Sequence, residues 1–263
     1  MDITIYTIDA FTSKPFAGNP AAVCILDKEL TDEQMKNIAF EMNLSETAYV
    51  LSRGDYYRLR WFTPDSEVDL CGHATLASSH ILWEKGLFDK KKTICFETRS
   101  GILRANRING KIELDFPKDE EHKVDIPDAL IKTLGSKPIY LGRAKWSYLC
   151  EMDSEETVRK MKPDFVAMET LEAWGVIVTA SSLSSEYDFV SRFFAPRKGV
   201  PEDPVTGSAH CVLGPYWMKK LNKAEMVAYQ ASRRGGVLGV NIVGDRVKLL
   251  GEAVTMLEGK FSL

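Results

Sequence analysis

The chain has 263 residues, 44% of them apolar and 27% charged, with a formal net charge of −3. That length suits two domains of ordinary size, and without a basic stripe nucleic acid is not an expected partner. No apolar run is long enough to span a bilayer, the amino terminus lacks the charged and apolar regions of a secretion signal, and five scattered cysteines make no disulfide framework, so a reducing cytoplasm is the expected compartment.

Residues 2–9 and 20–26 are rich in β-branched and aromatic side chains and are expected to be strands, joined by a loop of turn formers from Phe11 to Pro20. Thr31 is the expected N-cap of a helix whose apolar positions Met35, Ile38, Ala39 and Met42 follow helical spacing. Strands resume near 47–51 and 56–62, and a helix is expected over 73–85 with Gly86 as its stop. Three strand-like segments follow, near 93–98, 101–107 and 111–115. The charged stretch from Pro117 to Pro127 is expected to be a linker. After it come strands near 138–151, helices between 154 and 170, strands at 174–180 and 188–194, a helix from 207, and strands to the end.

The second half repeats the first. Arg60-Trp61-Phe62-Thr63-Pro64 returns as Arg192-Phe193-Phe194-Ala195-Pro196, offset by 132, and Gly72-His73 returns as Gly207-Ser208, offset by 135. A duplicated domain is the expected cause, with halves 1–119 and 120–263 and a last strand able to cross to the first half. The helices after the two glycines are apolar nearly all round, which marks them as buried. The expected fold is therefore α+β, with two pseudo-symmetric domains, each a mostly antiparallel sheet wrapped around one buried helix. Pro215 inside the second helix is expected to kink it.

Each glycine motif opens a helix, where unpaired backbone N–H groups and a partial positive charge suit an anion. Two such ends facing one cleft would hold a small carboxylate or phosphate at Gly72 and Gly207. Glu46, where a helix gives way to an apolar strand, is either an exposed carboxylate or one whose pKa burial raises enough to move protons. His73 suits an acid, a carboxylate binder or a metal ligand. Cys71, His73 and His80 lack a fourth ligand at metal-binding spacing, so no metal is indicated. No Walker or dinucleotide fingerprint appears, and no cofactor is indicated. His80, His122 and His210 are expected to be structural or surface residues.

The ordered set Asp9-Ala10-Phe11-Thr12, Phe16-x-Gly18-Asn19-Pro20, Ser45-Glu46-Thr47-Ala48, Cys71-Gly72-His73-Ala74-Thr75 and Glu202-Asp203-Pro204-Val205-Thr206-Gly207-Ser208-Ala209 resembles the PhzF family of phenazine-biosynthesis-like isomerases, over essentially the whole chain. The resemblance implies the two-barrel fold of diaminopimelate epimerase, a cofactor-independent isomerase, and a homodimer. It implies Glu46, His73 and Asp203 as catalytic residues, Glu46 shuttling the proton. It implies substrate contacts from Asn19, Gly72, His73, Gly207 and Ser208. The family's best-known reaction isomerises trans-2,3-dihydro-3-hydroxyanthranilate. Related epimerases oppose two cysteine thiols, but Thr206 stands at the second thiol position and cannot supply a thiolate. Cys71 is then expected to pack as a small apolar group. A thiol-type epimerase and a non-enzymatic binding protein on the same fold remain as alternatives.

Overall fold

The computed structural model of the protein describes residues 2–263. Two compact units divide the chain: one runs to Asp115 and takes in Leu249–Leu263, and the other is Phe116–Lys248. The first contains β1 (Asp2–Ala10), β2 (Asn19–Leu26), α1 (Asp32–Met42), β3 (Thr47–Ser52), β4 (Tyr57–Phe62), β5 (Glu67–Val68), α2 (Gly72–Glu84), β6 (Ile94–Thr98) and β7 (Gly101–Ile108), and β8 (Lys111–Pro117) leads out of it. The second contains β9 (His122–Lys123), α3 (Asp128–Leu134), β10 (Tyr140–Arg143), β11 (Ser147–Glu151), α4 (Glu155–Lys160), α5 (Phe165–Met168), β12 (Gly175–Ser181), β13 (Phe189–Ala195), β14 (Val200–Asp203), α6 (Gly207–Leu221), β15 (Glu225–Gln230) and β16 (Gly236–Val243). From it β17 (Arg246–Gly251) leads back, and β18 (Ala253–Ser262) belongs to the first unit, antiparallel to β1.

The fold is α+β, and the pairings repeat from unit to unit. β1–β2, β3–β4 and β6–β7 are antiparallel, as are β10–β11, β12–β13 and β15–β16. Parallel pairs occur where a helix carries the chain across, as such crossovers require: β2–β3 over α1 and β4–β6 over α2, then β11–β12 over α4 and α5 and β13–β15 over α6. The stretch expected to be a linker also holds β9, which pairs with β10 through Gly142↔Lys123.

Local sequence explains the element ends. Thr31 caps α1 in a reciprocal box: its hydroxyl accepts the Gln34 N–H at 3.2 Å, and Gln34 Oε1 accepts the Thr31 N–H at 3.0 Å. Asn43, left-handed at φ 49°, ends that helix. The amphipathic α1 buries Met35, Ile38 and Ala39 against Ile3, Ile5, Cys24 and Tyr49.

The two central helices are buried more completely, and each must hide its polar groups. In α2 the hydroxyls of Thr75, Ser78 and Ser79 donate to carbonyls one turn back, at 2.6, 2.7 and 2.8 Å, which is how hydroxyls are tolerated inside a buried helix. In α6, Trp217 stacks on Phe189 at 5.5 Å and its Nε1–H donates to Thr179 Oγ1 at 3.0 Å. Burying such rings contributes about 1.5–3 kcal/mol each. Pro215 lacks the N–H that Cys211 O would otherwise receive, and the Asp119 N–H takes its place at 3.0 Å. A backbone donor from outside the helix thus accommodates the proline. No helix among the described residues is long and apolar enough to cross a membrane.

Candidate active site

In the first unit, the αL residue Asn43 turns the chain out of α1, and three residues later Glu46 enters β3. Its carbonyl accepts the Ala22 N–H at 3.3 Å, which ties it to β2. The opposite wall is the start of α2. Cys71 is its N-cap, in extended backbone geometry with no side-chain capping bond, and His73 follows in the first turn.

These placements bring three side chains together. Glu46 Oε2 lies 3.3 Å from His73 Nε2, and Cys71 Sγ lies 3.5 Å from His73 Nδ1. The His73 side chain is 6% exposed and that of Glu46 19%. Burial pushes the Glu46 carboxyl above its ordinary pKa, against hydrogen bonding from Ser45 and Cys71 that favours the anion. Cys71 is buried, and its Sγ meets the His73 ring on the side away from Glu46.

Ligand atoms from Glu46, Cys71 and His73 also lie within 4.8 Å of one another, close enough to contact one cation. Glu46 and Cys71 meet His73 through opposite ring nitrogens. The group sets a carboxyl, an imidazole and a thiol side by side, with Glu46 within ion-pair distance of His73 and the thiol on the other ring nitrogen.

Asn19 opens β2 opposite Ala10 and is fully buried. Before it, Gly18 has φ +68°, and a Cβ there would sit 2.2 Å from Ala10 O, so the turn into Asn19 requires glycine. The Asp9 carboxylate accepts the Phe16 N–H at 3.0 Å and anchors the same loop.

Asp203, Gly207 and Ser208 belong to the second unit. Asp203 ends β14 opposite Phe193, Gly207 is buried at the start of α6, and Ser208 is exposed in its first turn. Thr206 takes the N-cap place that Cys71 has in α2. Its hydroxyl donates to Asp203 Oδ2 at 2.5 Å, and its N–H donates to Gln230 Oε1 at 2.9 Å. His210, fully buried, bonds the Thr206 carbonyl through Nδ1 at 2.8 Å, matching Thr75 on Cys71 O. Burial lowers His210 to about 4, so it is neutral at pH 7 and Nδ1 carries the donated proton.

Gln230 is the residue that the sequence reading missed. Its signal was the period-two order Met226, Ala228, Gln230, which puts a polar amide on the buried face of β15.

The repeat extends to the ion pairs. Arg60 grips Glu67 through Nε and Nη2 at 2.7 and 2.5 Å, and Arg192 grips Glu202 at 2.7 and 3.0 Å. Each guanidinium also lies over a phenylalanine ring, Phe62 at 5.1 Å and Phe194 at 4.9 Å.

Comparison with known proteins agrees with this architecture. Residues 8–259 match the family model described as phenazine biosynthesis-like protein. An uncharacterized isomerase of Halalkalibacterium halodurans is 53% identical over all of both chains. The crystal structure of a PhzF-family protein from Enterococcus faecalis superposes with a TM-score of 0.96 at 42% identity, covering all of both chains. A predicted epimerase from Pseudomonas aeruginosa, 19% identical over 98% of this chain and 99% of its own, shares the fold with a TM-score of 0.73. With a family model spanning nearly the whole chain and relatives named as isomerases, the protein belongs to the PhzF family of phenazine-biosynthesis-like proteins.

Proposed function

We propose that the protein is a cofactor-independent isomerase in which Glu46 carries the migrating proton. The observation that supports this most directly is the Glu46–His73 contact of 3.3 Å, with a carboxyl whose pKa burial has raised. A general acid–base group works best when its pKa lies near the working pH. The Glu46 carboxylate would take a proton from a carbon next to an unsaturated or carbonyl group and return it to another carbon, so the reaction is redox-neutral. His73, hydrogen-bonded through its far nitrogen to Cys71, would hold the carboxylate in place and contact the substrate. In the first unit, Asn19 and the amide end at Gly72 would bind a small carboxylate-bearing substrate; for Asp203, Gly207 and Ser208 of the second unit, the family resemblance implies a role in orienting a substrate's polar groups.

A thiol-type epimerase is the second reading, favoured by the closeness of Cys71 to His73. Against it, the matching place in the repeat holds the Thr206 hydroxyl, which is engaged with Asp203. A screen of small unsaturated carboxylates in D2O, read by proton NMR, tests the proposal. A substrate that moves its double bond while gaining solvent deuterium at one carbon supports it. Deuterium gained only at an α-carbon, with inversion and no bond migration, supports the epimerase.

A further inference from the structure

We propose that Gln230 is a positioning residue that fixes the direction of the Thr206 hydroxyl and thereby holds Asp203 as a hydrogen-bond acceptor. The inference deepens the reading of Asp203 as a substrate-orienting group and rests on it for its functional meaning.

The polarity of the chain follows from one backbone group. The Thr206 N–H can only donate, so the Gln230 atom that meets it at 2.9 Å is the amide oxygen. The other amide atom is then the nitrogen, which only donates. It reaches the Asp203 main-chain carbonyl at 2.8 Å and Thr206 Oγ1 at 3.1 Å. Thr206 Oγ1 therefore accepts from Gln230, and its own proton points to Asp203 Oδ2. Gln230 is fully buried, so no water replaces these bonds from bulk solvent.

A threonine at an N-cap ordinarily turns its hydroxyl onto the helix amides. Thr206 makes no such bond. The hydroxyl is diverted to Asp203, and the amide that diverts it also grips the main chain at both ends of the Asp203–Thr206 turn.

The repeat shows that the fold itself does not demand this amide. Phe189 pairs with Ala228 as Tyr57 pairs with Phe96, which makes Thr98 the first-unit counterpart of Gln230. The Thr98 hydroxyl donates to Gly101 O within its own hairpin, at 2.7 Å. The glutamine network is peculiar to the copy that carries Asp203.

The test needs no substrate. In uniformly 13C-labelled protein, the side-chain carboxyl resonance of Asp203 reports the hydrogen bond it accepts. Thr206→Val and Gln230→Met should displace it in the same direction. The double variant should move it no further than the larger single change, because groups acting as one unit are not additive. Thr206→Ser, which keeps the hydroxyl, should restore the wild-type position. Should Gln230→Met not fold, Gln230→Glu keeps the oxygen that receives the Thr206 N–H but loses the donor, and it too should displace the signal. The proposal is overturned if the folded Gln230 variant leaves Asp203 at its wild-type position while Thr206→Val moves it, or if the two displacements simply add. Because turnover is not measured, this result stands or falls separately from the role of Glu46.

Discussion

Glu46 Oε2 stands 3.3 Å from His73 Nε2, and the two side chains reach that distance from the entry to β3 and the first turn of α2. If Glu46 is the proton carrier, Glu46→Gln keeps its shape and hydrogen bonding but cannot exchange a proton. Turnover should fall by about 10²–10⁴-fold, the usual contribution of a general acid–base group. Cys71→Ala should retain most activity, since Thr206 offers no second thiol. Initial rates of deuterium incorporation by the three proteins decide the matter. An active Glu46→Gln beside an inactive Cys71→Ala would hand the chemistry to the thiol.

The same carboxyl should leave a mark on stability. Burial holds its pKa above the ordinary 4.5, so the folded chain binds this proton more tightly than the unfolded one. The stability it contributes is complete below about pH 4.5 and is lost as pH rises through the folded value. Glutamine has no such dependence. Wild type and Glu46→Gln should therefore be closest near pH 4, with the variant gaining on wild type towards pH 8. Urea midpoints at both pH values measure this, and a difference that does not change with pH contradicts it.

How much of this was legible beforehand depends on how local each cause is. The N-cap at Thr31 and the glycine that stops α2 are written within a few residues, and both were readable; the reciprocal bond from Gln34 was seen only in the structure. The duplication was readable because Arg60 and Arg192 do the same work, each gripping a carboxylate and covering a ring. Glu46 was singled out by family resemblance, because nothing in its own neighbourhood announces that His73 lies beside it. The contact of Cys71 with His73 was hidden for the same reason. The answer to Pro215 lies in the Asp119 N–H, far off in sequence, so periodicity could only signal a disturbed helix. Gln230 acts through a turn that the chain passes long before reaching β15.

The repeated arginines should differ in their importance to stability. The Arg192 side chain is 11% exposed, and besides Glu202 it donates to Val158 O at 3.2 Å and Met161 O at 2.7 Å. Arg192→Ala leaves a carboxylate and two carbonyls without their donor, and a loss of about 3 kcal/mol is expected, the lower end for breaking a buried pair. Arg60→Ala should cost less, because Glu67 keeps Arg99 Nη2 at 2.7 Å. Denaturant midpoints of the two variants should fall in that order, and the reverse order would show that the retained Arg99 contact does not compensate.

Two glycines with the same backbone angle separate conformational strain from collision. Gly18 and Gly86 both have φ +68°. A Cβ on Gly86 would meet nothing within 4 Å, so Gly86→Ala should cost only the left-handed penalty, about 1–2 kcal/mol. A Cβ on Gly18 would lie 2.2 Å from Ala10 O and 2.7 Å from Thr12 Cγ2. The first of these is backbone held in β1 by its pairing with both β2 and β18, and it cannot swing aside as a side-chain tip could. Gly18→Ala should therefore be clearly the more destabilising of the two. It should also disturb the buried Asn19 next to it, which backbone amide shifts of the first unit would report. Equal losses at the two sites would mean that β1 yields to the added methyl, and that the turn before Asn19 demands only a positive φ.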